Sequence, residues 1–202
     1  TTAPMERCVD DLLKRMKLVE DEVSALGLPI VPKAIYVCKT NITDDGDKDD
    51  PAKPFQERNA PPIRIWRYLV DKGIPPDQIA IYANLAFAKN NKPDQVVHFN
   101  GGENDFDNFQ AGNYRHVIFN LSLQEGWDDP ENYLAYIDKS MGSTIQVQQL
   151  IGRVLRQPGA DHYDSQLLNS AHFFLRVDKE AVFAEAIDAV KADMEKPAPM
   201  DR

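Results

Sequence analysis

The chain has 202 residues, of which 43% are apolar and 27% charged, with 23 Lys and Arg against 32 Asp and Glu and a net charge of −9. That is long enough for one domain with a substantial core, and the acidic balance excludes gripping nucleic acid by bulk charge, though not by a few local phosphate contacts. No apolar run is long enough to span a bilayer and no basic-then-apolar leader opens the sequence, so a cytoplasmic protein is expected.

The chain begins Thr1-Thr2-Ala3-Pro4 without an initiating Met, and it is expected to be cut from something longer. Its two cysteines, Cys8 and Cys38, are too few for a disulfide framework and too isolated for a zinc site. Both are expected to be reduced and buried. The four histidines, at 98, 116, 162 and 172, show no metal-ligand spacing.

Met5, Val9, Leu12, Leu13, Met16, Val19, Val23 and Leu26 recur at steps of three and four, which predicts an amphipathic helix stopped by Gly27 and Pro29. Ala34 to Cys38 is a short apolar run of strand type, and Lys33 and Lys39 beside it are expected to be solubility charges at a strand edge. Asn41 to Pro62 is polar, with Asp44, Asp45, Asp47, Asp49 and Asp50, and predicts a solvated acidic loop. It lacks the ligand order of an EF-hand.

Pro61-Pro62 opens a helix that runs to Lys72, with Gly73 after it. On it Arg64 and Arg67 flank Trp66 and are expected on a solvated face, with a nucleic-acid backbone contact as the sharper reading. Strands are predicted at Ile79–Tyr82, Val96–Phe99, His116–Leu121, Tyr133–Ile137 and Ala171–Val177. A short acidic helix is predicted over Asp105–Gln110, and longer ones over Thr144–Arg156 and Lys179–Met194. Strands alternating with helices at this spacing predict an α/β fold, with a mostly parallel sheet covered on both faces. The expected organisation is an N-terminal linker helix over 1–30, the sheet domain over 31–178 with its acidic loop at 42–60, and a closing helix and tail over 179–202.

The helix predicted from Thr144 carries the strongest chemical signal. Val147, Leu150, Ile151, Val154 and Leu155 form its buried stripe. On a wheel of about 100° per residue with Gln149 at zero, Arg153 falls near +40°, Arg156 near −20° and Gln146 near +60°. Four polar side chains therefore share one narrow face. Gly152 beside that face costs about 1 kcal/mol against Ala, a cost that close approach by a partner surface would justify.

The string Gln149 to Arg156 resembles the sixth motif of superfamily-two helicases and translocases, and Asn120 to Asp128 resembles their fifth. Both motifs belong to the second of two RecA-like, P-loop NTPase-type motor domains. The pairing of LQEGWDDP with QQLIGRVLRQP is most similar to the Res subunits of type III restriction enzymes. The resemblance is strongest over about residues 115–160, extends more loosely to Lys33–Thr40 and the strand near Leu175, and leaves out residues 1–30 and 42–60.

Carried over, it implies that Arg156 is an arginine finger on the γ-phosphate of ATP held by the other motor domain. Arg153 would be its companion, with Gln149 positioning both. A guanidinium fork suits the charge that spreads over the γ-oxygens during phosphoryl transfer. Asp128 resembles the acid that meets the ribose or relays closure, Gly126 permits the turn before it, and Gly152 allows close approach to the nucleotide-bearing partner. Ser122 is the candidate nucleic-acid phosphate contact.

The sequence also departs from a complete motor. It has no Gly-Lys-Ser/Thr phosphate loop and no Asp-Glu-x-His string to hold Mg²⁺. The resemblance therefore implies half of an ATPase site, with ATP and Mg²⁺ bound in the parent enzyme and inactivity of the isolated domain. The implied partners are the N-terminal RecA-like domain of the same parent, DNA, and a methyltransferase subunit. The alternatives are an RNA or repair helicase half, and a degenerate motor fold serving only as an interaction module.

Overall fold

A computed structural model describes residues 4–38, 41–42, 46–120, 129, 131–138, 162–176 and 184–188. Nine helices and strands carry the described fold. In chain order they are α1 (Met5–Ala25), β1 (Lys33–Cys38), α2 (Pro61–Asp71), β2 (Ile79–Tyr82), β3 (Val97–Phe99), α3 (Asp105–Gly112), β4 (His116–Asn120), β5 (Asn132–Asp138) and β6 (His172–Leu175). Residues 184–188 are also helical.

The helix ends follow local chemistry. Gly27 takes a φ of +63°, so its N–H reaches Ser24 O and the N–H of Leu28 reaches Val23 O. Gly73, at φ +90°, closes α2 with the same pair of bonds, to Val70 O and Leu69 O. A left-handed residue at this position lets the last carbonyls find donors, and glycine adopts it without a Cβ penalty.

The six strands form one sheet in the order β3-β2-β4-β1-β5-β6, and every neighbouring pair is parallel. β1 and β2 are buried at every position, which is why they read as unbroken apolar runs rather than alternating ones. Two apolar clusters lie on opposite faces. Ala34, Tyr36 and Cys38 point into the one built with α1 and α2, while Ile35 and Val37 point into the one with Phe109 of α3 and Ala186.

Topology explains the two-sided cover. The path from β1 through α2 to β2 moves toward one sheet edge, and the path from β3 through α3 to β4 moves back. Parallel crossovers keep one hand, so a reversal of direction requires the opposite face. The expected α/β class, with a parallel sheet and helices on both faces, is the fold observed, and it is consistent with a RecA-like architecture. α1 belongs to the main core: Val9, Leu12 and Val19 are fully buried. No helix among the described residues is long and apolar enough to cross a membrane.

Two local expectations need correction. Lys33 is not an edge charge. β1 lies between β4 and β5, and the Lys33 ammonium is buried against Asp129 at 2.5 Å, Glu131 at 3.3 Å and the Asn113 side-chain oxygen at 2.6 Å. Nor is the acidic loop simply solvated. Arg58 is fully buried within it, forks onto both carboxylate oxygens of Asp49, and lies 4.8 Å from the Phe87 ring centre. A buried guanidinium needs a paired carboxylate, and this one organises the loop around itself.

Candidate functional site at the carboxyl edge of the sheet

In an open α/β sheet, ligands collect beyond the carboxyl ends of the strands, where neighbouring strands send their connections in opposite directions. Here that point lies between β1 and β5. The chain leaves β1 toward β2 and leaves β5 toward β6, on the other side.

A row of residues crosses the sheet at this edge. Cys38 pairs laterally with Asn120 of β4 on one side and with Asp138 of β5 on the other. Arg176, one residue beyond β6, donates its backbone N–H to Ile137 O at 2.8 Å, and its Nη1 donates to Asp138 Oδ1, also at 2.8 Å. Laterally paired residues of parallel strands share a face, so Asn120, Cys38 and Asp138 lie on the side covered by α1 and α2. The first turns of both helices stand at this end, with Cys8 Sγ 4.0 Å from Leu175 O.

The electrostatics of the row suit positioning rather than nucleophilic chemistry. Burial pushes the Cys38 thiol well up, and the Asp138 carboxylate adds to the shift. Burial also raises Cys8, partly opposed by Arg176. Both cysteines are free and buried, as expected, and both stay thiols. Asp138 and Arg176 are nearly buried, at 10% and 16% side-chain exposure, so their ion pair is poorly screened by solvent and ties the end of β5 to the end of β6.

The acidic loop reaches the same edge. Asn41 Nδ2 donates to Asn84 O, and Asn91 Nδ2 donates to Ala52 O at 2.9 Å, which joins the loop after β1 to the loop after β2. His98 completes this corner, 2.8 Å from Ala83 O, and burial lowers its pKa below the ordinary value.

The residues expected to do chemistry, Ser122, Gly126, Asp128, Gln149, Gly152, Arg153 and Arg156, lie outside the described residues. Their points of attachment are described. Asn120 ends β4 one residue before Leu121, and Asp138 ends β5 before the segment that carries Gln149 to Arg156. Asp138 and Arg176 were not singled out from the sequence. The available signal was a charged residue closing each apolar strand run.

Among the described residues, no three His, Cys, Asp or Glu side chains are placed to hold a metal ion. No family model matches the chain. A search of curated proteins returns no matching relative. The class that the fold itself defines is an all-parallel α/β domain with a polar row at its topological switch point.

Proposed function

We propose that this chain is the second RecA-like motor domain of an ATP-dependent DNA helicase or translocase, of the kind found in type III restriction enzymes. One observation carries the reading. The chain passes from the carboxyl end of β4 directly into the first motif-like string and leaves the carboxyl end of β5 ten residues before the second, and these two strands flank β1 at the edge where such sheets receive ligands. A motor domain needs that adjacency, because its nucleotide and nucleic-acid contacts must move together.

In this reading ATP sits on the first motor domain, and cleft closure brings Arg156 and Arg153 to its γ-phosphate while Gln149 holds them in line. Asp128 meets the ribose or relays closure, with Gly126 and Gly152 allowing close backbone approach. Ser122 touches a DNA phosphate. The Asp138–Arg176 pair holds the strand end from which the arginine-bearing segment leaves. Mg²⁺ is held by the first domain, a methyltransferase subunit is the further partner, and the assembly is cytoplasmic.

The test is DNA-stimulated ATP hydrolysis by the longer parent chain, wild type beside Arg156→Ala. The expected result is stimulated turnover that falls on the order of a thousandfold or more in the variant, with ATP binding kept within a few-fold. Turnover by the 202-residue chain alone would overturn the half-site reading. Absence of turnover in the parent would favour an interaction module.

A further inference from the structure

The connection from β3 to α3 runs from Asn100 to Asn104, beyond the carboxyl end of an edge strand that β2 separates from β4. Asn100 is the only asparagine in the sequence that a glycine follows. It is exposed, as are Gly101, Gly102 and Glu103, and Gly101 stands at a φ of +78°. Glycine takes that left-handed conformation freely, and with no Cβ it leaves its backbone nitrogen unshielded beside the preceding side chain.

One carboxylate holds this turn. Asp105 Oδ2 accepts from the N–H of Asn100 at 2.8 Å and from the N–H of Gly102 at 3.0 Å, so the amides on both sides of Gly101 are pinned to one oxygen. A charged acceptor makes these bonds stronger than neutral ones. Between them, the Gly101 N–H has no hydrogen-bond partner among the described residues, and neither has the Asn100 side-chain amide. The backbone nitrogen left unengaged is the one that can close a five-membered ring on the Asn100 side chain.

We propose that Asn100 is a site of spontaneous deamidation whose rate the Asp105 staple restrains. The Gly101 nitrogen bonds to Asn100 Cγ, the Cγ–Nδ2 bond breaks, and ammonia leaves with the Gly101 amide proton. Water then opens the cyclic imide. Breaking the bond from Gly101 N to Cγ leaves an aspartate. Breaking its bond to the backbone carbonyl carbon leaves an isoaspartate, with the main chain rerouted through Cγ. Nothing is oxidised or reduced: one water is consumed and one ammonia is released. Ring closure needs Asn100 Cγ and Gly101 N to come together, and the staple opposes this by fixing the main chain on either side. Either product adds a carboxylate near that of Asp105, and their repulsion loosens the start of α3. The site stands apart from the motor reading, and neither depends on the other.

The test incubates the 202-residue protein near neutral pH in ¹⁸O-enriched water and maps its peptides by mass spectrometry. The expected result is conversion at position 100 ahead of every other asparagine, with one solvent oxygen gained and an isoaspartyl product that an isoaspartyl methyltransferase labels. Asn100→Gln is expected to lose the signal, because glutamine must close a six-membered ring, which forms far more slowly. Asp105→Ala is expected to convert severalfold faster than wild type. If that variant does not fold, Asp105→Asn, which keeps the shape and weakens the acceptor, is expected to act in the same direction. An intact Asn100 in the folded chain, under conditions where the unfolded chain converts, overturns the proposal. So does a rate that the Asp105 variants leave unchanged, or a signal that survives in Asn100→Gln.

Discussion

The hydroxyl of Tyr36 lies 2.9 Å from Nδ1 of His116, in the buried layer where β1 meets β4. Both side chains are almost wholly enclosed, with ring centres 6.0 Å apart. Burial, helped by the adjacent Arg115 charge, pushes the His116 pKa down to about 3 from its ordinary 6.5.

That shift makes stability depend on pH. The unfolded chain takes up a proton at His116 below about pH 6.5, whereas the folded chain refuses it until about pH 3. The contribution is therefore complete above pH 6.5 and is lost as the pH falls. Urea melts should show roughly 1 kcal/mol lost per pH unit between pH 6 and pH 4 from this one group. His98 and His172 are shifted in the same direction and steepen the decline. His116→Asn should flatten the slope, and an unchanged slope would place the titration elsewhere.

The Arg58–Asp49 pair predicts an asymmetry between its two partners. Asp49→Ala leaves a guanidinium of zero side-chain exposure without its counter-ion, and should cost about 3–5 kcal/mol. Arg58→Met keeps an apolar stem against Phe87 and leaves Asp49 as the unpaired charge, but that carboxylate keeps 7% side-chain exposure and can take up a proton, so the substitution should cost less. Denaturant midpoints of the two variants give the order. The reverse order would mean that the stranded Asp49 carboxylate is the costlier charge, and a negligible cost in both variants would mean that the loop does not depend on this pair.

Gly112 ends α3 at a place where a side chain has no room. A Cβ there would lie 2.3 Å from the Tyr114 ring, which stacks on Phe109 with centres 6.2 Å apart. Gly112→Ala should therefore destabilise the chain by about 1–3 kcal/mol, because the aromatic group must move. In a Tyr114→Ala background the same substitution should become neutral or stabilising, since Ala is the better helix former. A double-mutant cycle by thermal unfolding reads the change of sign.

The thiols offer a direct probe of the carboxyl edge. Cys38 is fully buried and Cys8 is 8% exposed, and burial raises both pKa values. Only the thiolate attacks a disulfide reagent, so native labelling by an aromatic disulfide should run at less than about a hundredth of the rate in denaturant. Two thiols should react after unfolding. Rapid native labelling of Cys38 would show that the row between Asn120 and Asp138 opens to solvent.

Much of the architecture was legible in the residues. The predicted helix from Met5 ends at Ala25, the strand over Ile79–Tyr82 matches β2 end for end, and Gly27 and Gly73 mark the helix ends where they do. These features are local. A helix writes its face at a period of about 3.6 residues, a buried strand writes a short apolar run, and a left-handed helix end favours glycine. The motif strings from Asn120 and Gln149 were equally visible, because they are words in the sequence rather than contacts in space.

Strand order was not legible, and the site depends on it. Lys33 looked like an edge charge because the sequence does not say that β4 and β5 close in on both sides of β1. Its partner Asp129 lies 96 positions along the chain, and His116 lies 80 from Tyr36. Asp138 and Arg176 are 38 apart and meet only because β5 and β6 pair. Local pattern decides which segments become helix or strand, since that depends on neighbours a few residues away. Which strand ends stand side by side, and so which charges are buried together, depends on packing between distant segments, and only the tertiary structure settled it.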